Sequence, residues 1–74
     1  MTVYEETQAK ADRIGGNLRR IRESKHLSQT QLGRLCGMSN VSISRIERGN
    51  TLATVYSMIQ LTTALGVTFE ELTR

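Results

Sequence analysis

Apolar residues recur along this chain at helical spacing. Ile14, Leu18 and Ile21 make a stripe at intervals of four and three, and Leu27 follows after a short connection. The stripe extends backwards through Ala11, Thr7 and Tyr4. Polar residues then punctuate the rest. Ser28, Ser39, Thr54 and Thr68 each precede an apolar run where an N-cap would stand, with a short hydroxyl for an orphan backbone N–H. Gln31 and Glu71 follow two of them by three residues, which makes capping boxes. The residue before each cap has an apolar mate five positions on: Leu27 with Leu32, Met38 with Ile43, Ala53 with Met58, Val67 with Leu72. Gly37, Gly49 and Gly66 stand where left-handed residues end helices. The pattern predicts an all-α, compact five-helix domain with helices at about 7–24, 28–36, 39–48, 54–65 and 68–73. The pair Gly15–Gly16 costs about 1 kcal/mol per glycine inside a helix, which argues against an earlier start for the first. Residues 1–12 then form an N-terminal extension, partly helical or loose, and 13–74 the domain itself.

Only about three residues separate the helices at 28–36 and 39–48, so these must turn sharply against each other. A corner of that kind needs small residues, and Gly33 and Gly37 supply them. Leu32, Leu35, Cys36, Met38, Ile43 and Ile46 are expected to make one inner surface. The outer face of the second helix is left to Asn40, Val41, Ser44, Arg45 and Arg48.

Composition narrows the function. A chain of 74 residues buries only about 60% of its unfolded surface, which excludes most enzymes with deep, walled cavities. With 4% aromatic residues and no proline, an aliphatic helical core fits better than a β-sandwich. Cys36 is alone and cannot close an internal disulfide, which points to a reducing compartment. No apolar run reaches the roughly 20 residues of a membrane span, and the first residues are acidic, unlike a signal peptide. A cytoplasmic protein is expected. Charge is uneven: residues 1–12 sum to −2, residues 13–48 to +6 and residues 49–74 to −1. Seven of the eight cations in the middle segment are arginine, whose planar fork suits phosphates and guanine edges. On charge alone, a solvated basic face serves equally well.

The stretch LSQTQLGRLCGMSNVSISRIERGN, with TALGVTFEEL downstream, resembles the lambda-repressor-like helix-turn-helix family of phage Cro proteins and repressors. The shared pattern is a leading Ser-Gln, Gly33, the corner glycine Gly37, Ile43 with Ile46, Glu47-x-Gly49, and Leu65-Gly66-Val67. It covers about residues 13–73. Ala53 stands where many members have proline, His26 where glycine is common and Thr62 where alanine is common. These departures bear on helix ends and packing more than on function.

The resemblance implies DNA binding with helix 39–48 in the major groove, encoded by a bacterium or phage. Residue chemistry agrees. The Asn40 amide matches adenine N7 and N6, the Arg45 fork matches guanine O6 and N7, and Val41 suits a thymine methyl. Ser39 and Ser44 can bond to bases or phosphates. Arg19, Lys25, Ser28, Gln29, Arg48 and Asn50 are the expected phosphate contacts, Gln29 beside the positive end of its helix. The plainer alternatives are helix-surface polarity and solvated cations. In the resembling family the positions of Arg22 and Glu47 pair across helices and hold the reading helix.

One such helix reads only about four or five base pairs, too few for a genomic address, so a homodimer on a palindromic operator is expected. Leu52, Val55, Tyr56, Val67 and Phe69 are the expected interface, with Phe69 and Val67 near the axis. No catalytic residues, metal site, cofactor or small-molecule ligand is expected, and no membrane contact. The function expected is a sequence-specific transcriptional regulator, a repressor or autoregulator. Phage, antitoxin and restriction–modification controller settings stay open, as does the alternative of a protein-interaction module with a toxin or other protein partner. A non-specific nucleic-acid binder is the remaining rival.

Overall fold

The computed structural model describes residues 1–50 and 53–74. Among them run five helices: α1 (Val3–Ser24), α2 (Gln29–Cys36), α3 (Asn40–Glu47), α4 (Val55–Leu65) and α5 (Phe69–Thr73). The last four agree with expectation to within a residue. Ser28, Ser39, Thr54 and Thr68 all cap, each hydroxyl accepting from the backbone N–H three residues on. Both capping boxes form. Gly37, Gly49 and Gly66 take φ values of 73°, 72° and 68°.

The first helix needs correction. It starts at Val3, not near residue 7, with Thr2 as its cap and Glu5 and Glu6 in the first turn beside the positive end of the dipole. The buried stripe stops earlier than the sequence pattern suggested: Ala11 is buried, but Thr7 and Tyr4 face solvent. The glycine pair does not interrupt α1, because Gly15 serves a helix crossing. A β-carbon there would overlap the Ile46 and Glu47 carbonyl oxygens at the end of α3.

Each helix contributes one of the largest fully buried side chains: Leu18, Leu32, Ile43, Leu61 and Leu72. All five helices therefore share one core. The residues before the caps, Leu27, Met38, Ala53 and Val67, pack partly buried against this core. Leu35 does not join it, contrary to expectation, and is 61% exposed. The inner face of α2 is Leu32, Gly33 and Cys36, and Leu35 lies about 60° beyond the edge of that arc at 100° per residue. Helix α1 packs on α3 and α5, α2 on α3 and α4, and α4 on α5. A 22-residue helix is about 33 Å long, which accounts for most of the 37 Å long axis.

The far end of α1 is closed by two devices. Asn17 is buried and donates to the carbonyls of Leu72 (2.9 Å) and Arg74 (2.8 Å), tying α1 to the end of α5. His26 ends α1 in the left-handed region (φ 58°), with the Leu27 N–H bonded to Arg22 O at 3.2 Å. An L-residue with a β-carbon costs about 1–2 kcal/mol in that conformation. After allowance for the greater entropy of an unfolded glycine, His26→Gly is expected to stabilise the fold by about 1 kcal/mol. Thermal unfolding should show a rise of about 4–8 °C for a domain of this size. A fall would mean that the imidazole contributes a contact that glycine loses.

Candidate nucleic-acid interface

The corner between α2 and α3 is set by close backbone approach. The Met38 N–H reaches back to Gly33 O (2.9 Å) around left-handed Gly37. The Met38 carbonyl oxygen lies against the Cα of Gly33, where any β-carbon would overlap it. Thus both glycines of the corner are sterically required, one for its dihedral angle and one for space.

On α3, Ile43 and Ile46 are buried, and this decides which residues face outward. Asn40, Val41, Ser44 and Arg45 span an arc of about 140° on the opposite side. Asn40 and Arg45 are exposed, Val41 is 52% exposed and Ser44 is half-buried. Among the described residues, neither the Asn40 amide nor the Arg45 guanidinium hydrogen-bonds to another side chain. Ser39 is exposed, but its hydroxyl is engaged locally: it accepts from the Ser42 N–H (3.1 Å) and donates to Ser42 Oγ (3.0 Å).

Beside this face, at its Asn40 edge, lies a buried ionic cluster. The Arg22 fork meets the Glu47 carboxylate with two bonds, Nε to Oε2 at 2.6 Å and the terminal nitrogen to Oε1 at 3.0 Å. A third bond runs to Leu27 O (2.7 Å). The side chains are 10% and 3% exposed. The Glu47 bond raises the Arg22 pKa, with burial working against it, so the guanidinium stays charged. Gln29 joins the cluster: its amide donates to Glu47 Oε1 at 3.1 Å. That bond uses one of the two N–H groups of the Gln29 amide, in the first turn of α2. Three helices, α1, α2 and α3, thus meet at one carboxylate.

The expected phosphate contacts lie within three residues of Arg22, Gln29 or Glu47 along the chain. Ser28 caps α2 with its hydroxyl. Lys25, Arg48 and Asn50 are exposed. Arg48 bonds through Nε to Ser44 O (3.3 Å), which commits one of its nitrogens. Arg19 makes an exposed pair with Glu23 (3.5 Å), of the kind that a stronger anion readily displaces.

A family model described as helix-turn-helix matches residues 18–72. The chain belongs to the lambda-repressor-like helix-turn-helix family. It is 37% identical over 59 residues to the uncharacterised HTH-type transcriptional regulator y4dJ of Sinorhizobium fredii, covering 80% of this chain and 77% of that one. Among solved structures it is similar to the restriction-modification controller protein C.AhdI from Aeromonas hydrophila, with TM-score 0.83 and 33% identity over 86% of this chain and 97% of that one. A hypothetical transcription factor, NHTF, from Neisseria matches with TM-score 0.84 and 28% identity, over 92% and 78% of the two chains. This is a family of transcription regulators and not of enzymes. In this helix-turn-helix domain α3 is the second helix of the motif, and its outer face carries Asn40, Val41, Ser44 and Arg45.

A second surface of the domain is apolar. Val55, Tyr56 and Phe69 are exposed, Tyr56 at 72%. Val67 is half-buried against the core, and Leu52 lies outside the described residues. Leu35 and Ile59, both more than half exposed, extend the patch around a groove between α2 and α4. Cys36 lines the same groove, and burial pushes its thiol pKa up, which leaves little thiolate at neutral pH. Among the described residues no helix is long and apolar enough to cross a membrane, and no three His, Cys, Asp or Glu side chains gather as a metal site would require. Sequence reasoning missed Leu35 on the surface, Asn17 at the α5 end, and the contact of Gln8 and Asp12 with Gly49. Asn17 and Gln8 act through long-range bonds of single polar side chains, which leave no periodic signal.

Proposed function

We propose that this DNA-binding transcriptional regulator binds a palindromic operator as a homodimer, acts as a repressor or autoregulator, and works in the cytoplasm. The observation that carries the reading is the outer face of α3: two polar forks, Asn40 and Arg45, and an exposed valine, on a helix anchored along one side by a buried ion pair. In the major groove Asn40 pairs with adenine, Arg45 with guanine and Val41 with a thymine methyl, with Ser39 and Ser44 beside them. Lys25, Ser28, Gln29, Arg48 and Asn50 meet the flanking phosphates, and Arg19 joins them by exchanging Glu23 for a phosphate. Similarity to C.AhdI over nearly all of that chain supports a controller setting in particular. The exposed apolar residues of α4 and α5, Val55, Tyr56, Ile59 and Phe69, with Leu35 adjoining, are the surface for a second copy. Two copies set their reading helices about one DNA turn, roughly 34 Å, apart.

Selection from a randomised duplex pool at about 150 mM salt, where phosphate-only binding is weakened, tests this directly. An inverted repeat with half-site centres about 10 base pairs apart is expected. Arg45→Ala should then lose about 1–3 kcal/mol and relax the preference at one position of each half-site. Retention without enrichment would replace the reading with that of a backbone binder. Sedimentation as a monomer alone at tens of micromolar would remove the dimer.

A further inference from the structure

The first 17 residues precede the segment matched to the family, residues 18–72, yet the first half of α1 touches the reading unit. Gln8 Nε2 donates to Gly49 O, 41 positions away, at 2.8 Å. It also donates to Asp12 Oδ1, one turn along α1, at 2.9 Å. Gly49 is buried in the left-handed region, and the Asp12 carboxylate fills the space a side chain there would need. On the other side of the same peptide plane, the Asn50 N–H donates to Arg45 O at 2.9 Å. The Gly49–Asn50 peptide is therefore held at both ends, its oxygen by α1 and its N–H by the last turn of α3.

We infer that Gln8, oriented by Asp12, is a positioning residue that presets the Arg48–Asn50 turn for the DNA backbone. This rests on the DNA-binding reading above. A peptide bonded only through its N–H keeps rotational freedom toward the chain that follows, and a phosphate contact made from it must order that freedom on binding. With the carbonyl fixed from α1, the ordering is complete before the duplex arrives, and the Asn50 side chain leaves a fixed plane. Asp12 holds the Gln8 amide in the orientation that presents its N–H groups, which a glutamine on a bare helix surface would not keep.

The test is a double-mutant cycle in the full chain on the selected duplex, with Gln8→Ala, Asn50→Ala and the pair. Gln8→Ala alone should weaken binding about five- to tenfold. In the Asn50→Ala background the same change should weaken it less than about twofold, because the group being positioned is gone. Asp12→Asn, which keeps an acceptor, should bind like the parent, and Asp12→Ala should weaken binding as Gln8→Ala does. Gln8→Met, which keeps the stem and removes the donor, replaces Gln8→Ala if that variant fails to fold. Equal losses in both backgrounds, or unchanged affinity for Gln8→Ala and Gln8→Met, would overturn the assignment and leave Gln8 with a role in folding alone. If the parent chain itself enriches no duplex, the binding reading has failed and the assignment falls with it, a result seen before any variant is made.

Discussion

Glu47→Ala is expected to lose about 3–5 kcal/mol of stability, because it leaves the Arg22 guanidinium charged and buried without its carboxylate. Total stability for a domain of 74 residues is roughly 4–11 kcal/mol, so the variant should lose about half of it and melt far below the parent. Two details make the loss severe. The carboxylate accepts from both Arg22 and Gln29, so one deletion orphans donors on two helices. The Glu47 side chain is 3% exposed, and little water can replace it. Arg22→Ala should be nearly as damaging, since it frees Glu47 and also deprives Leu27 O of its donor. The informative variant is Arg22→Met with Glu47→Leu. Removing both charges together avoids the unpaired ion, and the double variant should be more stable than either single one. It should nevertheless bind the selected duplex more weakly, because methionine and leucine pack without fixing the rotation of α3 against α1. Urea unfolding and duplex titration on all four chains separate the two effects. A double variant no more stable than the singles would mean that the cluster holds the fold mainly by hydrogen bonds to Leu27 and Gln29.

What could be read in advance follows from the range of each signal. Caps, capping boxes and C′ glycines act over five residues or fewer, and they located α2 to α5 to within a residue. The start of α1 is not legible because the cost of Gly15 and Gly16 is a local propensity, while the compensation is a tertiary contact between Gly15 and the end of α3. The exposure of Leu35 is hidden by composition, since an apolar residue next to a buried one reads as part of the same face although its azimuth puts it outside. The outward set on α3 was legible for the converse reason: Ile43 and Ile46 fix the inner side, and every other position follows by rotation. Arg22 and Glu47 are 25 positions apart, and no periodicity links them; only resemblance to a family implied their pairing. Gln8 with Gly49 had no precedent in that pattern and appears only in the fold.

The two adjacent glycines of α1 should respond to the same substitution with opposite signs. Gly16 is exposed, with nothing within 4 Å of the place a β-carbon would occupy, so Gly16→Ala should stabilise the helix by about 1 kcal/mol. Gly15 is buried against the Ile46 and Glu47 carbonyls, backbone atoms that no side-chain rotation can clear. Alanine there forces α1 and α3 apart, and overpacking of this kind costs about 1–3 kcal/mol even after the same gain in helix propensity. The displaced segment is the end of α3, which carries Glu47 and leads into Arg48 and Asn50. Gly15→Ala should therefore weaken duplex binding as well as stability, whereas Gly16→Ala should leave binding unchanged. Thermal melts and duplex titrations on the two variants decide it. Stabilisation by both would mean that the α1–α3 crossing is looser than the backbone contacts imply. Destabilisation by both would mean that residue 16 faces a neighbour in a second copy of the chain.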